Sequence, residues 1–201
     1  MKKIKMVFAS ANEGKIAEMK LLIEKNLNGL EIELLGLKDV GITEEIIEDG
    51  GTFEANAEIK ARYVFNKTGL ICFADDSGLC VDYLNGGPGI YSARYSGGGD
   101  EDNISKLLEE MKDVPDEQRS AYFYCAVYCV ISESESFCVS GKCEGFITRE
   151  RSGANRFGYD SVFYYPPENK TFARLESGEK NKFSHRAAAM AEFAEKLALY
   201  L

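Results

Sequence analysis

A single histidine, His185, serves the whole 201-residue sequence. That excludes zinc sites built on two histidines and mechanisms that need two imidazoles. No stretch approaches ~18 consecutive apolar residues, which excludes a membrane-spanning helix. The basic start Met1-Lys2-Lys3-Ile4-Lys5 leads into an apolar run that stops at Ala9, with Asn12, Glu13 and Lys15 close behind. Such a run is too short for a signal peptide. No C-x-x-C pair occurs among the six cysteines, Cys72, Cys80, Cys125, Cys129, Cys138 and Cys143, and five of them fall in apolar segments that read as strands. Buried, reduced thiols in a cytoplasmic protein are therefore expected. Positive charge is in short supply: 24 Lys and Arg against 33 Asp and Glu give a net charge of -9. That disfavours a nucleic-acid coat protein, which presents a basic face, but leaves room for a nucleotide, which needs only a local cluster of cations.

What is present reads as an ordinary folded chain, 45% hydrophobic and 28% charged. One domain over residues 1–201 is expected, large enough to hold a core without disulfides or a structural metal. Lys3 to Ala9 fits a buried first strand. Ser10 to Lys15 is turn-rich, and Ile16, Met19, Ile23 and Leu27 then mark one face of a helix. Glu31 to Leu35 alternates as a strand. Thr52 is a candidate cap for a helix reaching about Asn66. Ile71 to Ala74 reads as a strand ending at Asp75-Asp76, with Ser77-Gly78 as a sharp turn and Leu79 to Leu84 as a further strand. Asn85 to Gly99 is glycine-rich and irregular. Asp100 or Asp102 caps a helix to about Met111. Ser120 to Ile131 and Ser136 to Thr148 form a hairpin. Ser152 to Tyr159 is loop, Ser161 to Tyr165 a short strand, and Ser184 caps a last helix that turns Met190, Phe193 and Leu197 inward. No internal repeat or linker is visible. The alternation gives an α/β fold with a mixed sheet.

Five places carry chemistry. Ser10-Ala11-Asn12-Glu13-Gly14-Lys15 follows a strand and opens a helix, where backbone N–H groups and one ammonium make an anion site, or else a plain capped turn. Lys60 borders the apolar stripe Phe53, Ala57, Ala61, Val64, so it either snorkels or serves a buried anion. Asp75 and Asp76 face opposite ways on a strand, and hard carboxylate oxygens there suit Mg²⁺, or else a solvated turn. Phe157-Gly158-Tyr159-Asp160 places two rings and a carboxylate where they can sandwich a base, or else pack into the core. Lys180, Lys182, His185 and Arg186 gather cations at a helix start, which opposes the dipole unless they are needed there or merely exposed.

Together these segments resemble the inosine triphosphate pyrophosphatase family. The matching stretches are Ser10-x-Asn12-x-x-Lys15, Thr52 to Ala61, Ala74-Asp75-Asp76-Ser77-Gly78-Leu79-x-Val81-Asp82, Gly86 to Tyr95, Phe157-Gly158-Tyr159-Asp160 and Ser184-His185-Arg186, in the family order over nearly the whole chain. The departures are Ser10-Ala11 for the usual Thr-Gly, Ser161 for proline and Ala55 for glutamate. The resemblance implies an elongated α/β fold of two lobes around a long mixed sheet with a cleft between them, and a homodimer. It implies Mg²⁺-dependent hydrolysis of ITP, dITP and XTP to the nucleoside monophosphate and pyrophosphate. It implies no nucleic-acid or membrane partner. On this reading Lys15, Lys60 and Lys180 cradle the triphosphate beside Ser77, and Asp76 with Glu48 holds the metal. Asp76 also orients the attacking water, and Phe157 to Asp160 with His185 and Arg186 read the base. A donor aimed at a 6-oxo group favours the keto purine, because an unsatisfied buried donor opposite adenine costs roughly 1–3 kcal/mol. The alternative is a non-catalytic regulator that binds purine nucleotides. A cysteine hydrolase pairing His185 with a thiol fits less well, since no cysteine lies at a strand-to-helix turn.

Overall fold

The computed structural model describes residues 3–27, 29–154 and 157–201. The strands are β1 (Ile4–Phe8), β2 (Ile32–Leu35), β3 (Ile71–Val81), β4 (Ser120–Val130), β5 (Ser136–Ile147), β6 (Phe163–Tyr165) and β7 (Lys170–Thr171). The helices are α1 (Glu13–Asn26), α2 (Phe53–Thr68), α3 (Asp100–Glu110), α4 (Ser177–Lys180) and α5 (His185–Leu197). The strands form one sheet in the order β2-β1-β3-β4-β5-β6-β7. β1 pairs in parallel with both β2 and β3, while β6 pairs antiparallel with β5 and β7, so the sheet is mixed.

The chain divides into two compact units. The first comprises residues 1–76, 125–141 and 186–201, and the second comprises residues 77–124 and 142–185. In the first, period-two alternation sorts the core. Met6, Phe8 and Phe73 pack with Met19, Leu22 and Ile23 of α1 and with Met190, Phe193 and Leu197 of α5. Val7, Cys72 and Ala74 face the other way, onto Ala61 and Val64 of α2. Burying both faces explains the near-continuous apolar reading of β1 and of the start of β3. Phe8 stacks on Phe73 with centroids 4.9 Å apart. In the second unit, Ile104, Leu107 and Met111 along α3 pack with Leu79, Val81, Phe123, Phe163 and Phe172.

Helix starts follow their caps. At α2 the cap is Thr52, whose Oγ1 accepts the Ala55 N–H at 3.1 Å. At α3 it is Gly99 rather than the expected Asp100 or Asp102, and Asp102, at the third helical position, accepts the Gly99 N–H through Oδ2 at 3.2 Å. α1 already begins at Glu13, so half of the expected Ser10–Lys15 loop is its first turn.

One expectation fails. β3 runs unbroken through Asp75-Asp76-Ser77-Gly78 to Val81, so there is no turn at Ser77-Gly78 and no second strand reaching Leu84. Asp82 to Leu84 is instead a 3-10 turn. Aspartate is depleted in strands, and two in succession read as a strand end. Here both are buried and held by cations, which lets the strand continue. The hairpin β4–β5 starts where expected, and each strand ends one residue short of the expected Ile131 and Thr148. β7 and α4 are additional short elements without a periodic signal of their own.

Candidate active site

Consecutive strand residues point to opposite faces. Asp75 therefore continues the Phe73 face, toward α1 and α5, and Asp76 continues the Ala74 face, toward α2.

On the α1 and α5 side, Asp75 is 1% exposed, and its Oδ2 lies 3.0 Å from Lys15 Nζ and 3.3 Å from Arg186 Nε. Arg186 Nη1 also donates to Glu18 Oε2 at 2.8 Å. Burial by itself raises the Asp75 pKa. The charges of Lys15, Arg186 and Lys60 outweigh it and hold the carboxyl well below its ordinary value. Burial likewise works against the Arg186 charge, and the Glu18 and Asp75 carboxylates overcome it and raise its pKa.

On the α2 side, Asn56 Nδ2 donates to Asp76 Oδ2 at 3.1 Å. Lys60 Nζ lies 2.7 Å from Glu48 Oε2 and 3.8 Å from Asp76 Oδ1, so two carboxylates share one ammonium. The Lys60 side chain is only 10% exposed, so it serves a buried anion and does not snorkel. Asp76 titrates opposite to its neighbour. Burial raises its pKa, and Lys60, Lys15 and the Asn56 hydrogen bond offset this only in part.

The start of α1 adjoins this cluster through Lys15. Asn12 Oδ1 accepts the Lys15 N–H at 3.0 Å and Ser10 Oγ accepts the Asn12 N–H at 3.2 Å. Ala11, Asn12, Glu13 and Gly14 are exposed, so the positive end of a 14-residue helix meets solvent.

The remaining expected residues lie in the second unit, apart from Arg186. Lys180 Nζ and Asp160 Oδ2 form a buried pair at 2.6 Å. The same ammonium lies 5.5 Å from the centre of the Phe157 ring. The two rings flanking Gly158 part company. Tyr159 is buried and its hydroxyl donates to the Ser92 carbonyl at 2.9 Å, while Phe157 stays half-buried, so the pair does not form a two-ring sandwich. His185 is 2% exposed and stacks on Phe123 with centroids 4.8 Å apart, so it is not a surface residue. Of the cations near α5, only Lys182 is exposed. Ser77 is half-buried on β3.

Glu18 and Asn56 are the members that residue-by-residue reading passed over. Both carried a signal. Glu18 immediately precedes the buried Met19 and lies four residues before Leu22, and Asn56 lies one turn before Lys60 on the same helical face.

Among the described residues, no three His, Cys, Asp or Glu side chains form a ready metal cage. Mg²⁺ needs none: it takes one or two carboxylates and completes its octahedron with water and substrate phosphates. Glu48 and Asp76, meeting on one cation, are a donor set of that kind. The thiols are poor nucleophiles. Burial pushes Cys143 up to about 12 and also raises Cys72, Cys125 and Cys129. All six cysteines are free. No helix among the described residues is long and apolar enough to cross a membrane.

The fold is of the mixed α/β class, with carboxylates, lysines and an arginine paired across the middle of one strand. The chain belongs to the Ham1 family, whose profile matches residues 6–196. A dITP/XTP pyrophosphatase of Bacillus licheniformis is 48% identical over 194 residues, which cover 96% of this chain and 97% of that protein. The solved HAM1 protein of Coxiella burnetii superposes with a TM-score of 0.87 at 39% identity, covering 97% of this chain and 98% of that one. The Staphylococcus aureus Ham1 protein gives a TM-score of 0.86 at 35% identity, covering 98% of this chain and all (100%) of that one.

Proposed function

We propose that this protein hydrolyses non-standard purine nucleoside triphosphates, dITP, XTP and ITP, to the nucleoside monophosphate and pyrophosphate. The observation that carries the proposal is the meeting of Glu48 and Asp76 on Lys60 beside the capped start of α1. The name of the Bacillus licheniformis relative supports the substrate class.

Water adds to the α-phosphorus, the bond from that phosphorus to the bridging oxygen breaks, and pyrophosphate leaves. Asp76 accepts the proton of the attacking water, a role suited to a carboxylate whose affinity for protons burial has raised. Lys15 and Lys60 offset the charge of the triphosphate, and the exposed N–H groups of the first turn of α1 bind its oxygens. Glu48 and Asp76 would hold Mg²⁺, which supplies Lewis-acid stabilisation of charge on the phosphate oxygens. Lys180, expected on the triphosphate, is paired with Asp160 at 2.6 Å, so we assign it with Asp160 to a base edge. Phe157 offers a ring face, and His185 and Arg186 complete recognition of the 6-oxo group. Glu18 and Asp75 fix the plane of the Arg186 guanidinium for this task. A homodimer and a cytoplasmic location belong to the same proposal. The six free thiols fit a reducing compartment.

A panel of dITP, XTP, ITP, GTP and ATP, scored for pyrophosphate with and without Mg²⁺, tests the reading. Pyrophosphate release should favour the first three and vanish with chelator. Nucleotide binding without turnover would instead identify a non-catalytic regulator.

Lys60 gives a sharper check. Lys60→Met removes one charge facing the triphosphate and leaves Asp76 without its ammonium. We expect kcat to fall by at least about tenfold at a temperature where the variant is fully folded, with a Tm loss of a few degrees. Unchanged turnover per folded molecule would remove Lys60 from the site.

A further inference from the structure

Glu48 lies in an irregular segment and Asp76 lies in the middle of a strand, so something must fix one against the other. Asn56 bonds Asp76 and, two residues beyond Glu48, the backbone of Gly50. It is 1% exposed, in the first turns of α2. Its Oδ1 accepts the Gly50 N–H at 2.8 Å, and its Nδ2 donates to Asp76 Oδ2 at 3.1 Å. Chemistry sets the orientation of the amide: a backbone N–H requires the oxygen, and a carboxylate requires the NH₂ group. No other uncharged side chain of this size offers an acceptor and a donor on two separate atoms.

The packing of the loop agrees. A Cβ on Gly50 would lie 2.7 Å from Asn56 Oδ1 and 2.9 Å from the Asn56 nitrogen. Only glycine lets the chain come this close to the start of the helix. The loop two residues beyond Glu48 is thus pressed onto the amide that holds Asp76. Lys60, one turn further along α2, closes the arrangement by bridging Glu48 and Asp76.

We propose that Asn56 is a positioning residue, which ties the Glu48 loop to the Asp76 carboxylate so that the two act as one constellation. This inference rests on the pyrophosphatase reading and assigns within it a residue that touches neither substrate nor reacting atoms.

Asn56→Asp separates the two bonds. A carboxylate still accepts from Gly50 but cannot donate to Asp76, and it faces Asp76 with a like charge. Asn56→Leu, of similar size, removes both bonds. The experiment measures kcat and KM for dITP, Tm, and amide exchange at Gly50 in the parent and both variants. Asn56→Asp should keep Gly50 protected and lose kcat by at least about tenfold, with KM within about threefold, because small misplacements of reacting groups are costly. Asn56→Leu should lose kcat and also expose Gly50 to fast exchange. Gly50→Ala approaches the tie from the loop and should lower kcat with little change in KM, so the inference stays testable if either Asn56 variant fails to fold.

A kcat within about twofold of the parent in folded Asn56→Asp or Gly50→Ala overturns the inference. So does an activity loss that merely follows the unfolded fraction, or a Gly50 amide equally protected in Asn56→Leu. A parent that releases no pyrophosphate from dITP or XTP sinks the pyrophosphatase reading instead, and Gly50 exchange still tests the tie.

Discussion

Asp76→Asn should lower kcat by at least about 10²-fold while leaving the protein as stable as the parent, or more so. The two halves of this expectation share one cause. Asp76 is buried, and its pKa is raised because desolvation outweighs the help of Lys60, Lys15 and Asn56. A carboxylate whose folded pKa exceeds its unfolded value binds protons more readily when folded, so ionising it at neutral pH costs stability. The neutral amide removes that cost. Lys60 keeps its partner Glu48, at 2.7 Å. The amide cannot accept the proton of water and is a weaker oxygen donor for Mg²⁺. Tm measured without Mg²⁺ and steady-state turnover at saturating Mg²⁺ read the two halves separately. More than half the parental kcat would remove Asp76 from the catalytic role. A large loss of Tm would mean that its charge stabilises the fold, against the direction of its titration.

Most of the architecture was legible because periodicity carries it. The buried apolar run of β1 and the stripe Ala57, Ala61 and Val64 on α2 survive in the structure, down to the cap at Thr52. The failure at Asp75-Asp76 is physical. Local propensity ends a strand at two aspartates, and only tertiary charges, unseen in a local window, allow it to pass through them. Lys60 was readable as a lysine on an apolar face. Its choice between snorkelling and an ion pair was not, because Glu48 comes from an irregular segment. Tyr159 misled for the opposite reason. An aromatic beside a flexible glycine looks available for stacking, yet the Ser92 carbonyl gives its hydroxyl a buried partner and draws the ring into the core.

Arg186 should prove a structural keystone as well as a base reader. Its side chain is 4% exposed and bonds Glu18 and Asp75 at once. Arg186→Met keeps apolar bulk and leaves both carboxylates without its charge, although Lys15 still faces Asp75 at 3.0 Å. Removing one member of a buried ion cluster costs about 3–5 kcal/mol, because the remaining charges stay desolvated. In a chain of this length that corresponds to a Tm loss of roughly 10 °C. The pH dependence identifies the cause. In the parent, charges around Asp75 hold its pKa down, so its contribution is present at neutral pH and is lost as pH falls through its folded value. In the variant, Asp75 keeps its burial and loses the Arg186 charge that helped hold its pKa down, so protonating it costs the folded state less. The gap in Tm between parent and variant should therefore narrow steadily from pH 7 toward pH 4. Adding Glu18→Gln to Arg186→Met should recover part of the loss at pH 7, since it neutralises one stranded carboxylate. At a temperature where the variant is folded, the ITP-over-ATP ratio of kcat/KM should also fall by about tenfold, the worth of one good hydrogen bond. A gap in Tm that does not change with pH would assign the loss to packing of the arginine stem rather than to charge. An unchanged ratio would take Arg186 out of base recognition and leave it holding Asp75 and Glu18 alone.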